Sequence, residues 1–171
     1  TAVAGPTSFG ADRNAFMSTL PFVGSPVYHT SAGLSGDPTA NDLTRLMVEI
    51  VVDVPGNAVD LTLLVQHWKS GTANSDEFRR ACESVRMTQA VADLDSSVDA
   101  YVFMGDMNEE IDNVPQSPNP FTSLPTGLPL AFDLGADLEA EMSNPGIQNN
   151  PFHYLTLAGG AQATALAALQ L

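Results

Sequence analysis

Between Arg45 and Asn108 the hydrophobic repeat changes from two residues to about 3.6 and back to two, and few folds accommodate that order. Leu46–Val54 reads as a strand, with Val48, Ile50, Val52 and Val54 on one face and Glu49 and Asp53 on the other. Pro55-Gly56-Asn57 is a turn signal. Leu61–Gln66 reads as a second strand, apolar at Leu61, Leu63 and Val65, and the two are expected to pair antiparallel. Asn74 reads as a helix N-cap with Glu77 as its capping-box partner, and the helix should run to about Leu94. Its buried stripe is predicted as Phe78, Ala81, Cys82, Val85, Gln89 or Ala90, and Ala92, with Arg79, Arg80, Glu83 and Arg86 mostly on the wet side. Ala100–Met104 is a third strand, running straight into Gly105-Asp106. Strand, helix and strand in this order predict α/β or α+β layering.

The flanks are less regular. Residues 1–24 read as a loop with a short helix near Asp12 to Leu20, and Pro26–Thr30 as a short strand. Residues 31–42 are a polar, turn-rich loop. Residues 112–131 carry Pro115, Pro118, Pro120, Pro125 and Pro129 and read as a long proline-rich loop. A short acidic helix is expected over 133–143, and 154–171 is Ala/Leu-rich with a Gly159-Gly160 break. The 171 residues make one domain, with no internal repeat. No apolar run reaches about 18 residues, which excludes a transmembrane helix. One cysteine, Cys82, excludes a disulfide framework and a cysteine-based zinc site.

Charge narrows the function. Twenty Asp and Glu against six Lys and Arg leave a formal net charge of −14. The bases are Arg13, Arg45, Lys69, Arg79, Arg80 and Arg86, and none follows Arg86. Such a surface repels phosphate backbones and anionic membranes, which argues against a general nucleic-acid coat protein. One lysine among so many acids suits salty or extracellular water.

Two segments end apolar strands with chemistry-bearing residues. In Val65-Gln66-His67-Trp68-Lys69-Ser70-Gly71, His67 stands where a strand stops; it can donate to a phosphoryl oxygen or shuttle a proton near neutral pH, with Lys69 adding positive charge. The plain alternative is a histidine that caps a strand. In Met104-Gly105-Asp106-Met107-Asn108, Asp106 can bind a hard divalent cation or orient a water, and the Asn108 amide can hydrogen-bond a phosphoryl oxygen without adding charge. The plain alternative is an Asp-Asn turn. His29 and His153 read as loop or core-edge residues.

Taken together, the His-x-Lys-Ser strand end, the following helix and the Gly-Asp-x-Asn strand end resemble the endonuclease/exonuclease/phosphatase superfamily. These are metal-dependent phosphoesterases that include pancreatic deoxyribonuclease, and the likeness is closest to bacterial, often secreted members. Arg45 leading a Val/Ile strand into a Pro-Gly turn extends it, so that residues 25–111 are covered. The resemblance implies a four-layer sandwich of two β-sheets flanked by helices. It also implies phosphoester hydrolysis with Mg²⁺ or Mn²⁺, on a nucleic acid, a nucleotide or a phospholipid headgroup. It makes His67 the phosphate-stabilising histidine, Asp106 the acid that orients water or helps hold the metal, and Asn108 the amide on a phosphoryl oxygen. Arg45 becomes a weaker phosphate or sheet contact. Apart from the resemblance, the charge of Lys69 is expected to add an electrostatic contact to substrate. Family habit places the protein in the extracellular space or periplasm of a bacterium, with no obligate protein partner.

The family's Glu-bearing opening strand and Ser-Asp-His ending have no match here. The expectation is therefore an incomplete domain from a longer parent, inactive or nearly so alone. A second expectation, of another class, is a non-catalytic module of the same fold that binds a partner through 112–131.

Overall fold

The structure, a computed structural model, describes residues 1–5, 12–95, 97–108 and 123–142. Residues 112–122 of the proline-rich segment, residues 154–171 and His153 lie outside the described residues. The elements in order are β1 (Ala2–Ala4), β2 (Ala15–Met17), β3 (Phe22–His29), α1 (Ser31–Ser35), β4 (Met47–Val52), β5 (Leu61–Val65), α2 (Asn74–Ala90), β6 (Ala100–Met104) and α3 (Gly135–Met142). Among the described residues the fold is α+β, with a two-stranded β1–β2 ribbon and a four-stranded sheet ordered β3-β4-β5-β6. β3, β4 and β5 pair antiparallel, and β5 pairs parallel with β6 across the α2 crossover. No helix of the described residues is long and apolar enough to cross a membrane.

The central elements follow the hydrophobic pattern. On one face of the sheet Val48, Ile50 and Val52 pack with Phe16, and on the other Met47, Leu64 and Trp68 pack with Met87 and Val91 of the α2 end. Full burial of a side chain such as Leu64 or Met87 contributes about 1.5–3 kcal/mol. β3 is an edge strand and tolerates Pro26 for that reason, with a register shift between Val23 and Val27. His29 donates or accepts at 2.7 Å from Glu49 across the β3–β4 ladder, which is a structural role.

Several readings need correction. Residues 31–42, expected as a loop, open with α1, whose N-cap Thr30 accepts the Gly33 N–H at 3.0 Å, and Ala92, expected in the buried stripe of α2, lies past the helix end and is exposed. The short helix expected near Asp12 to Leu20 is instead β2. Ala15 and Met17 point outward while Phe16 inserts against Val48, Ile50 and Val52, so a contact distant in sequence imposes period two. The cap of α2 is Ala73, not Asn74; the Asp76 carboxylate accepts the Ala73 N–H at 3.3 Å. The largest correction concerns the charges of α2. Arg79, Arg80, Glu83 and Arg86 are all buried, because the helix is covered on its second side by Leu134 and Leu138 of the α3 region and by the 42–45 and 69–71 segments.

Arg86 is the centre of this packing. Its guanidinium donates to Asp42 through Nε at 3.0 and 3.1 Å and Nη2 at 2.5 Å, to Asp137 Oδ2 at 2.5 Å, to Gln89 Oε1 at 2.8 Å and to the Leu134 carbonyl at 2.6 Å. Asp137 in turn accepts from Ser35 of α1 at 2.5 Å and from Gln89 at 2.7 Å. One buried charge thus ties α1, the loop before β4, α2 and α3 together. Removing it leaves two carboxylates facing each other. Arg86→Ala should cost about 3–5 kcal/mol, the scale of breaking a buried ion pair, and a chemical denaturation curve reads it.

Burial pushes the Asp137 pKa up, but hydrogen bonds from Arg86, Ser35 and Gln89 and the guanidinium charge outweigh it and hold the value at about 2, below the ordinary 3.8. A depressed carboxylate contributes stability that is full above its unfolded pKa and lost as pH falls through the folded one. Asp42 works in the opposite sense, since burial raises its pKa against the pull of Arg86. The acid loss therefore belongs to α3. The protection of α3 amides, measured against the intrinsic exchange rate at each pH, should hold above about pH 4 and fall between pH 4 and 2, and that fall should be absent in Asp137→Asn.

Candidate functional site

The parallel β5–β6 pair builds the site. Val65 is the register partner of Met104, and the pairing continues beyond both strands: the Gln66 N–H donates to the Met104 carbonyl at 3.0 Å and the Trp68 N–H to the Asp106 carbonyl at 2.9 Å. That two-residue step places His67 beside Asp106 in the register. Gly105 makes the approach possible. It has φ +134°, and a Cβ there would lie 1.8 Å from the Gln66 carbonyl oxygen. Asn108 follows in the left-handed region at φ 51°, with its N–H donating to Asp106 Oδ1 at 2.9 Å, an Asx turn that such residues favour. The Asn108 side chain reaches across and donates from Nδ2 to the Trp68 carbonyl at 2.9 Å. Thus 66–68 and 104–108 are stitched into one unit. The Asp106 side chain is exposed, while His67 and Asn108 are half-buried.

Arg45 links this unit to a second group of residues. Its Nη1 donates to the His67 carbonyl at 3.2 Å and its Nη2 to Asp12 Oδ2 at 2.8 Å. The Arg45 carbonyl accepts from Nε2 of the buried Gln66 at 3.0 Å, and Asn14 donates to the Leu46 carbonyl at 2.8 Å beneath it. Lys69 pairs with Asp76 at 2.9 Å and also donates to the Ser70 carbonyl. A cleft of about 270 Å³ is lined by Asp12, Thr44, Arg45, Lys69, Ser70, Arg79 and Pro129.

The five predicted residues therefore fall into two groups. His67, Asp106 and Asn108 stand at the two neighbouring strand ends, and Arg45 and Lys69 line the adjoining cleft. Its walls are set from beneath by α2. Glu83 accepts the Thr44 N–H at 2.9 Å and the Lys69 N–H at 2.7 Å, and Arg80 donates to the carbonyls of Lys69 at 3.0 Å and Gly71 at 2.7 Å. Burial raises the Glu83 pKa, opposed by those hydrogen bonds and by Arg79; burial lowers that of Arg79, opposed by Glu83 and Asp76.

Asp12, Thr44, Arg79 and Glu83 were not found by the sequence reading. Arg79, Glu83 and Arg86 follow i, i+4, i+7 spacing, which places three charges on one helical face; that stripe is the signal for them. Asp12 carries no local signal. No group of three His, Cys, Asp or Glu side chains is placed to hold a metal ion among the described residues. Asp106 offers a single hard oxygen donor, which suits Mg²⁺ or Mn²⁺ only when waters and a phosphoryl oxygen complete the shell.

No family model, curated protein or solved structure matches the chain.

Gly105 gives the site a direct structural test. Gly105→Ala should destabilise the protein by about 1–3 kcal/mol or more, since neither the φ nor the Gln66 carbonyl can give way cheaply. The Trp68 amide should lose its slow hydrogen exchange in the same variant.

Proposed function

We propose that this chain belongs to a metal-dependent phosphoesterase of the endonuclease/exonuclease/phosphatase type, and that its strand-end unit is part of the hydrolytic site. The observation that carries the reading is the register that sets His67 beside Asp106 with Asn108 braced against Trp68. His67 donates to a nonbridging phosphoryl oxygen. Asn108, already aimed by its bond to Trp68, donates its second amide N–H to the same group. Asp106 orients the attacking water or contributes an oxygen to Mg²⁺ or Mn²⁺. The ion supplies Lewis-acid stabilisation of phosphoryl charge when bound. Arg45 and Lys69 add positive charge on the substrate side.

The wider reading includes the four-layer sandwich, completed by parts of a longer parent, and a place outside the cytoplasm. The substrate is a nucleotide, a phospholipid headgroup or a nucleic acid met in high salt, given the net charge of −14. The rival, a non-catalytic module of the same fold, draws support from the engagement of Arg45 by Asp12 and of Lys69 by Asp76.

Mn²⁺ titration of the chain, followed by electron paramagnetic resonance, tests the reading. Asp106→Ala should weaken Mn²⁺ by about tenfold or more. Equal Mn²⁺ binding by the wild type and the variant defeats it. Magnesium-dependent cleavage of bis(p-nitrophenyl) phosphate by the chain, abolished by Asp106→Ala, supports the site and overturns the expectation that the chain alone is inactive.

A further inference from the structure

Three of the six bases in this acidic chain, Arg45, Lys69 and Arg79, line the cleft beside the strand ends. Asp12 is the one acid among the lining residues, so bases outnumber acids three to one, and a concave surface with such an excess focuses its field on a ligand of the opposite sign. Ser70, which is exposed, also lines this cleft, and a hydroxyl can donate a hydrogen bond to an anion. The backbone of both walls is pinned by Glu83 and Arg80, so the donors are held in place rather than gathered on binding.

Arg45 shows how such an anion would be held. The side chain is 12% exposed, whereas the Asp12 side chain that meets it is 71% exposed. Nη1 is committed to the His67 carbonyl and Nη2 to Asp12. Nε is buried and has no partner among the described residues. Buried donors without partners are rare and call for an explanation. Nε and Nη2 form one edge of the guanidinium fork, the edge that takes two oxygens of a single phosphate. Asp12 satisfies half of that edge from the solvent side.

We propose that this cleft is a phosphate-binding subsite, and that the Asp12 carboxylate is a built-in anion mimic which the phosphate displaces from Arg45. The phosphate takes Nε and Nη2 of Arg45 side-on and lies between Lys69 and Arg79. Asp76 stays in place because it also caps α2. The ligand is either free orthophosphate or the phosphate end of a longer molecule. Its chemical class rests on the phosphoesterase reading, but the subsite does not need Asp106 or a metal.

Titration at low ionic strength in the presence of EDTA, followed by backbone amide shifts of the full chain, keeps the two readings separate. Inorganic phosphate should shift Lys69 and Ser70. Asp12→Asn should tighten phosphate about threefold by removing the competitor, and Lys69→Gln should weaken it about threefold. Both side chains reach solvent, so both variants should fold. Adenosine 5′-phosphate should bind and adenosine should not. A tighter complex with the nucleotide than with orthophosphate points to the end of a longer ligand, and equal affinity to free phosphate. Equal phosphate affinity in the wild type and Asp12→Asn, no binding by either, or binding of adenosine as strong as its phosphate would each overturn the proposal.

Discussion

A guanidinium taken fully out of water is stable only if nearly every N–H finds an oxygen, and Arg86 meets that requirement with two carboxylates, an amide and a backbone carbonyl. The consequence is geometric. Because Asp42 lies far in sequence from Leu134 and Asp137, satisfying one side chain fixes two remote segments relative to α2. Glu83, a turn earlier, does the same with two backbone amides, those of Thr44 and Lys69. α2 is therefore less an amphipathic cover for the sheet than a charged spine on which the loops are hung.

That spine explains why the cleft has defined walls. The segments that carry Thr44, Arg45, Lys69 and Ser70 are anchored by the buried Leu43 and Trp68, and hydrogen bonds from α2 fix their backbone. The strand-end unit is positioned by a different device. There the parallel ladder continues past β5 and β6, and a glycine whose backbone lies against the Gln66 carbonyl lets it do so. The two groups touch through Arg45, whose guanidinium holds the His67 carbonyl. A ligand bridging them would meet groups held by two independent scaffolds.

The local patterns carried much of this. Val48, Ile50 and Val52, then Leu61 to Val65, then Ala100 to Met104 alternate as strands do, and the structure has strands there. The run after Ala73 has helical spacing and is α2. The edge elements were harder to read. Ala15 to Met17 has no strand propensity strong enough to announce itself, and it is a strand because Phe16 finds the β4 face and Asn14 reaches the Leu46 carbonyl. The charges of α2 misled for a related reason. A charged residue is normally solvated, and only the position of its partner overrides that rule. Asp42 and Asp137 lie 44 and 51 residues from Arg86.

The candidate site divides along the same line. His67, Asp106 and Asn108 stand out in the sequence because polar groups at the ends of apolar strands are conspicuous one segment at a time. Arg45 and Lys69 were visible as scarce bases in an acidic chain. That Arg45 holds the His67 carbonyl, that Asp12 meets its outer edge and that Arg79 turns into the same cleft were decided by the tertiary structure alone. Periodicity and residue type act through near neighbours and determine which elements form. The pairing of buried charges and the close approach of backbones depend on distances between remote segments, and only the folded chain sets those.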